Sequence, residues 1–120
     1  MSTLAHPSNR QLYLRFLELA KLAADMPEVG LLKPNEAHLL QEVALRNGED
    51  QALRISDVLE MKQLGSPATL HKRLARLRDS GLLSVQPDAT DHRVKYLIAT
   101  PLAMAYFERM GQAMKTAMQA

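Results

Sequence analysis

The stretch Ser66–Ala99, SPATLHKRLARLRDSGLLSVQPDATDHRVKYLIA, changes its hydrophobic period halfway along, and that change decides the fold. Up to Ser80 the apolar residues Leu70, Leu74 and Leu77 recur at i, i+4 and i+7, the spacing of one helix face. Ser66 is an N-cap residue, Pro67 suits the first turn, and Ser80-Gly81 closes the helix. After Gly81 the period falls to two. Leu83 and Val85 alternate with Ser84 and Gln86, and beyond the polar run Pro87 to Arg93, Val94, Tyr96 and Ile98 alternate with Lys95 and Leu97. The pattern predicts a β-hairpin with a long polar tip, directly after a helix with leucines on one side and Ala68, Thr69, His71, Lys72, Arg73 and Arg76 on the rest of its surface.

Upstream, Ile55-Ser56-Asp57 offers Ser56 as the N-cap of a short helix whose apolar residues Val58, Leu59 and Met61 lead to a turn at Leu64-Gly65. Short helix, tight turn and cationic helix in that order predict a helix-turn-helix. A helix from Pro34 to Asn47-Gly48, with Ala37, Leu40, Val43 and Ala44 inward, precedes it, and Ala52–Ile55 suits a short strand. The spacing predicts a first helix over 8–26, ended by Pro27 and Gly30. It has two apolar stripes, one through Leu12, Phe16, Leu19, Ala23 and Met26, the other through Tyr13, Leu17, Ala20 and Ala24. Downstream, Thr100-Pro101 opens a last helix over 100–118 with Ala103, Phe107, Met110, Met114 and Ala117 on one face. Terminal helices with that much apolar surface predict a homodimer through Tyr13, Leu17, Ala24, Phe107, Met110 and Met114.

The whole is expected to be a single domain over 1–120, mainly α-helical with a small β-hairpin wing: a winged helix-turn-helix core at 31–99 between N- and C-terminal dimerisation helices. Composition is consistent with this: 120 residues, 47% hydrophobic and 23% charged, describe one folded domain. The net charge is only +2, but residues 61–100 hold seven of the 15 cations against three of the 13 acids, leaving the remainder net acidic. Positive charge gathered around the helix and hairpin is what phosphate neutralisation requires of a nucleic-acid reader.

Several classes are set aside. With no cysteine there is no disulfide scaffold, thiolate zinc site or cysteine nucleophile. No apolar run approaches the ~20 residues of a membrane helix, and the first residues do not form a secretory signal, so the expected location is the cytoplasm. His6, His38, His71 and His92 lack metal-ligand spacing, and no phosphate loop, nucleophile elbow or paired acid and base is present. Neither enzyme, metal site nor cofactor is expected. His71 and His92, in the helix and the hairpin, would add positive charge below about pH 6.5.

The run Pro87-Asp88-Ala89-Thr90-Asp91-His92-Arg93-Val94, followed by Thr100-Pro101, resembles the wing and wing-to-helix junction of MarR-family winged-helix transcriptional regulators. Ile55-Ser56-Asp57, Ser66-Pro67-Ala68-Thr69 and Leu77 through Gly81-Leu82 resemble that family's helix-turn-helix, and the likeness covers about residues 31–101. The chain departs from the pattern in three ways: Leu59-Glu60 stands where a small residue is usual, no glycine follows soon after Thr100-Pro101, and one helix follows the wing where the family typically has two. It is thus expected to be a shortened member lacking the last family helix. The resemblance implies a cytoplasmic dimer, expected to be a repressor, on a pseudo-palindromic double-stranded DNA operator, with a small-molecule effector of unspecified kind. It puts the recognition helix in the major groove and the wing in the minor groove, with Arg93 entering the minor groove and Asp91 orienting it. The DNA-contacting set expected is Ser66, Ala68, Thr69, His71, Lys72, Arg73, Arg76, Asp91, Arg93 and Lys95. The alternative is a winged-helix module for protein–protein association that does not bind DNA, with the two-faced first helix as its working surface.

Overall fold

The computed structural model describes residues 7–119, which fall into two compact units: Leu31–Ala103, and the segments on either side of it, 7–30 with 104–119. His6 lies outside the described residues.

The larger unit is the winged helix-turn-helix. Helix α3 (Pro34–Gly48) buries Leu39, Leu40 and Val43, with Ala37 and Ala44 half-buried beside them. Helix α4 (Ile55–Leu59) begins earlier than its sequence signal suggests. The cap position is Arg54, not Ser56, because the Asp57 carboxylate reaches back to accept from the Arg54 amide at 2.9 Å. Val58 is its buried residue, and Leu59 and Met61 are half-buried. A single 3-10 turn, Lys62–Leu64, and Gly65 then lead into helix α5 (Pro67–Asp79), capped by Ser66 as expected, with Leu70, Leu74 and Leu77 buried. Its far end is a complete Schellman motif: Leu82 N donates to Leu77 O at 3.0 Å, Gly81 N donates to Arg78 O at 3.0 Å, and Gly81 takes the positive φ of 81° that this motif needs.

Strands β1 (Leu83–Pro87) and β2 (Lys95–Ala99) form the antiparallel hairpin, in a register that pairs Leu83 with Ala99 and Val85 with Leu97. Paired residues share a face, so the buried side of β2 is Leu97 and Ala99, while Tyr96 and Ile98 of the expected apolar alternation are half-buried on the other side. The anticipated strand at Ala52–Ile55 is reduced to one bridge between Arg54 and Tyr96, beside which Leu97 N donates to Leu53 O at 2.8 Å. The rest of that edge is completed by a side chain. Asn47 Nδ2 donates to Leu97 O at 3.1 Å and its Oδ1 accepts from Ala99 N at 2.9 Å, so an amide on α3 substitutes for a neighbouring strand. Thr100 closes the hairpin by donating from Oγ1 to Gly81 O at 2.6 Å, and caps helix α6 (Pro101–Met118) by accepting from Ala103 N.

The smaller unit contains α1 (Asn9–Ala23), the single turn α2 (Pro27–Gly30) and the greater part of α6. Ser8 and Gln11 form a reciprocal capping box at the start of α1. Helix α1 ends at Ala23 rather than Met26, and Pro27, expected only as a stop, opens α2, since its fixed φ suits a first helical position. Arg15 Nη2 donates to Gln119 O and Arg109 Nη2 to Leu22 O, which sets α1 and α6 side by side and antiparallel. On α6 the buried residues are Ala103, Tyr106, Ala113 and Ala117, while Phe107 and Met110 of the expected stripe are half-buried and Met114 is exposed. Among the described residues no helix is long and apolar enough to cross a membrane.

Because both amide groups of Asn47 satisfy backbone atoms of β2, Asn47→Ala leaves a partly buried N–H and C=O without partners. A loss of about 1–3 kcal/mol is expected, read as a lower urea midpoint at unchanged m-value; an unchanged midpoint would contradict the role given to this side chain.

Candidate nucleic-acid interface

The surface of α5 away from Leu70, Leu74 and Leu77 presents Ala68, His71, Lys72, Ala75 and Arg78, all exposed. Of the remaining residues expected here, Ser66 and Thr69 are engaged with each other: Ser66 Oγ accepts from Thr69 N at 3.2 Å and donates to Thr69 Oγ1 at 2.9 Å. Two of the three arginines of the expected set, Arg73 and Arg76, make contacts within the protein, although the Arg76 side chain is still 51% exposed. Arg73 is half-buried and donates from Nη1 to Leu64 O, fastening the helix to the turn before it. Gly65 is what permits this, since its φ is 138° and a Cβ there would lie 3.2 Å from Arg73 Nη1. Arg76 Nε lies 2.8 Å from Oε2 of Glu36, a buried carboxylate on α3. The exposed donors on α5 are therefore His71, Lys72, Arg78 and Arg76, the last with its Nε held at Glu36, and Arg78 was not singled out by the sequence pattern.

The wing tip, 88–94, is ordered by one carboxylate. Asp88 Oδ2 accepts from Thr90 N at 3.0 Å, Thr90 Oγ1 at 2.7 Å and Asp91 N at 3.0 Å, while Oδ1 accepts from the Tyr96 hydroxyl at 3.3 Å. Backbone bonds from Asp88 N to Val94 O and from Val94 N to Asp91 O complete the loop. From this frame Arg93 projects with its side chain 92% exposed, its Nε 3.1 Å from Asp91 Oδ1. Asp91 Oδ1 also accepts from the Arg93 amide at 3.1 Å, so the acid fixes both the backbone and the guanidinium of the residue it was expected to orient. Lys95 is exposed at the base of the wing, and His92 is exposed at its tip.

A shallow cleft of about 310 Å³ between the start of α4 and β2 is lined by Arg54, Ser56, Arg93 and Lys95 around Ile55 and Val94. It brings Arg54, which the sequence placed in a short strand, to the wing cations. Arg54 is also the partner of Asp57, whose carboxyl it holds below the usual range by hydrogen bonding. Among the described residues no cluster of three or more His, Cys, Asp or Glu is arranged to hold a metal ion.

This arrangement is the winged-helix fold of MarR-family regulators, and solved structures share it across most of the chain. No protein-family profile and no curated protein sequence matches. The structure of S. aureus MepR bound to ethidium bromide superposes with a TM-score of 0.65 at 19% identity, covering 89% of this chain and 75% of that one. A MepR–DNA complex gives 0.58 at 19% identity, covering 92% and 78%. BpsR of Bordetella bronchiseptica, whose DNA binding is regulated by 6-hydroxynicotinic acid, gives 0.52 at 25% identity over 90% and 71%. The chain spans 65% of the length of the heme-bound heme sensor PefR from Streptococcus agalactiae, which it matches with a TM-score of 0.58.

Hydrogen bonds to the ionised form, led by the Asp91 amide and then the Thr90 hydroxyl, push the Asp88 carboxyl down to about 2 from the ordinary 3.8. A depressed carboxyl stabilises the folded tip above its unfolded value and ceases to do so as pH falls through the folded one. The Thr90 and Asp91 amide resonances should therefore hold their positions from neutral pH to about pH 3 and move with a midpoint near 2. A midpoint at 3.8 would remove Asp88 as the organiser of the tip.

Proposed function

We propose that the protein is a transcriptional regulator that binds double-stranded DNA as a homodimer in the cytoplasm, with no catalytic step. Helix α5 enters a major groove through Ala68, His71 and Lys72, with Ser66 and Thr69 at its leading end. The wing enters the flanking minor groove through Arg93, and Lys95 meets phosphate. The observation that carries this reading is Arg93, 92% exposed yet held by Asp91 at the end of an ordered loop. An arginine so placed has no protein surface to serve, and a guanidinium suits a narrow, electronegative minor groove. The MepR–DNA complex, a neighbour in fold, lends support. Two copies are proposed because Tyr13 and Leu17 on α1 and Met114 on α6 leave large apolar side chains in water, and a two-fold dimer calls for a pseudo-palindromic operator. Repression is the proposed outcome, by occupation of the operator. Ligand-bound neighbours are the reason for including a small-molecule effector in the proposal.

Selection of bound fragments from random duplexes tests the reading. A consensus with two-fold symmetry is expected, and log Kd should rise with log salt by about 0.9 per phosphate contact. Arg93→Ala should weaken sites with A·T-rich flanks most and leave the preferred core sequence unchanged, whereas Lys72→Ala should either relax one core position or weaken all sequences alike. No enrichment at low salt overturns the proposal in favour of a module for protein association.

Dimerisation has its own check. Leu17→Glu with Met114→Glu, both at exposed positions, should leave each chain folded and yield monomers in sedimentation at micromolar concentration, with operator binding lost. A wild-type monomer under those conditions contradicts it.

A further inference from the structure

We propose that Arg76 serves DNA recognition as a positioning residue, fixing the rotation of α5 through the buried carboxylate of Glu36, and that it is not a contact to DNA. The inference rests on the DNA-binding reading above and concerns how that surface is held.

Glu36 is 2% exposed and is the one charged residue in a core otherwise built of leucine, valine, alanine and tyrosine among the described residues. A carboxylate there requires partners for both oxygens. Oε1 accepts from the Lys33 amide at 2.9 Å and so closes the first turn of α3, where the helix dipole also favours negative charge. Oε2 takes the Arg76 Nε at 2.8 Å. One side chain thus joins the N-terminus of α3 to the last turn of α5. Stability alone does not call for such a pair, since an apolar pair of similar volume usually serves a core as well or better. The pair adds direction. Leu70, Leu74 and Leu77 set how closely α5 approaches the core, and the ion pair adds a contact between two named atoms that is met at one rotation of the helix about its axis.

Rotation matters for the outer face. Arg76 stands one turn beyond Lys72 on α5, so fixing one fixes the other. Turning the helix by about 20° moves a side chain about 6 Å from the axis by roughly 2 Å, more than a hydrogen bond to a base edge tolerates. With Arg73 fastened to Leu64 O at one flank and Arg76 Nε held at Glu36 further along while the rest of that side chain stays half exposed, both arginines act on orientation, and Lys72 is left to read.

The test uses the full-length protein and two duplexes of equal length, the selected operator and a random sequence, titrated across a salt series at a temperature where every variant is folded by circular dichroism. Arg76→Met and Glu36→Gln should each lower the operator-to-random affinity ratio by on the order of tenfold, with the salt slope on random DNA unchanged. Arg76→Lys, which keeps the charge but not the planar donor, should lose the ratio as well. Glu36→Met/Arg76→Met should lose no more than either single change. If Arg76→Met fails to fold, Glu36→Gln and Arg76→Lys carry the same comparison.

A salt slope reduced by about one in Arg76→Met, restored in Arg76→Lys and untouched by Glu36→Gln, makes Arg76 a phosphate contact and overturns the proposal. So does an unchanged ratio in both Arg76→Met and Glu36→Gln. Failure of the wild type to bind either duplex at low salt is a different result: it removes the DNA-binding reading itself, and this inference with it.

Discussion

An isolated two-stranded hairpin is marginal in water, and the second edge of β2 is the constraint on which this winged helix depends. That edge has backbone groups to satisfy and no third strand to satisfy them. Leu53 O takes one and the Asn47 amide takes two more, so a loop and a helix together complete the sheet. The consequence reaches both ends of the hairpin. Toward the core it fixes Leu97 and Ala99 against the helices; toward solvent it fixes where the tip begins. Thr100, bonded to Gly81 O, then ties the end of β2 to the end of α5, so wing and helix share one origin.

Much of this was legible in the sequence because the signals are local. The leucine spacing of α5, its Ser66-Pro67 start, its Gly81 stop and the shift to a period of two each depend on residues within a turn or two of one another. The pairing of Asp91 with Arg93 came instead from the likeness of the wing to that of MarR-family regulators, since the residues alone leave Asp91 an ordinary turn residue. What escaped was tertiary. Asn47 looks like a helix stop but lies within the last turn of α3, and its bonds go to residues some fifty positions away. Glu36 in a first helical turn looks like a solvated acid at a favourable dipole end, and only the return of α5 over α3 buries it. The same return brings Arg76 Nε to Glu36 while the side chain remains half exposed, a contact that a helical wheel, which places Arg76 on the outer surface, does not show. The cap of α4 was misplaced for a related reason: Ser56 is a good capping residue, but Asp57 serves the same end from inside the helix.

The hydrogen bonds of the wing tip close on themselves. Every bond made by Asp88, Thr90, Asp91, Arg93 and Val94 falls between residues 88 and 96, and none reaches a helix. A loop folded by its own residues is modular. It can be exchanged as a cassette between hairpins of the same register, and its sequence can drift without disturbing the leucines beneath α5. On the proposed reading, the parts of the protein that meet the core and the flank of a DNA site would then be free to change at separate rates.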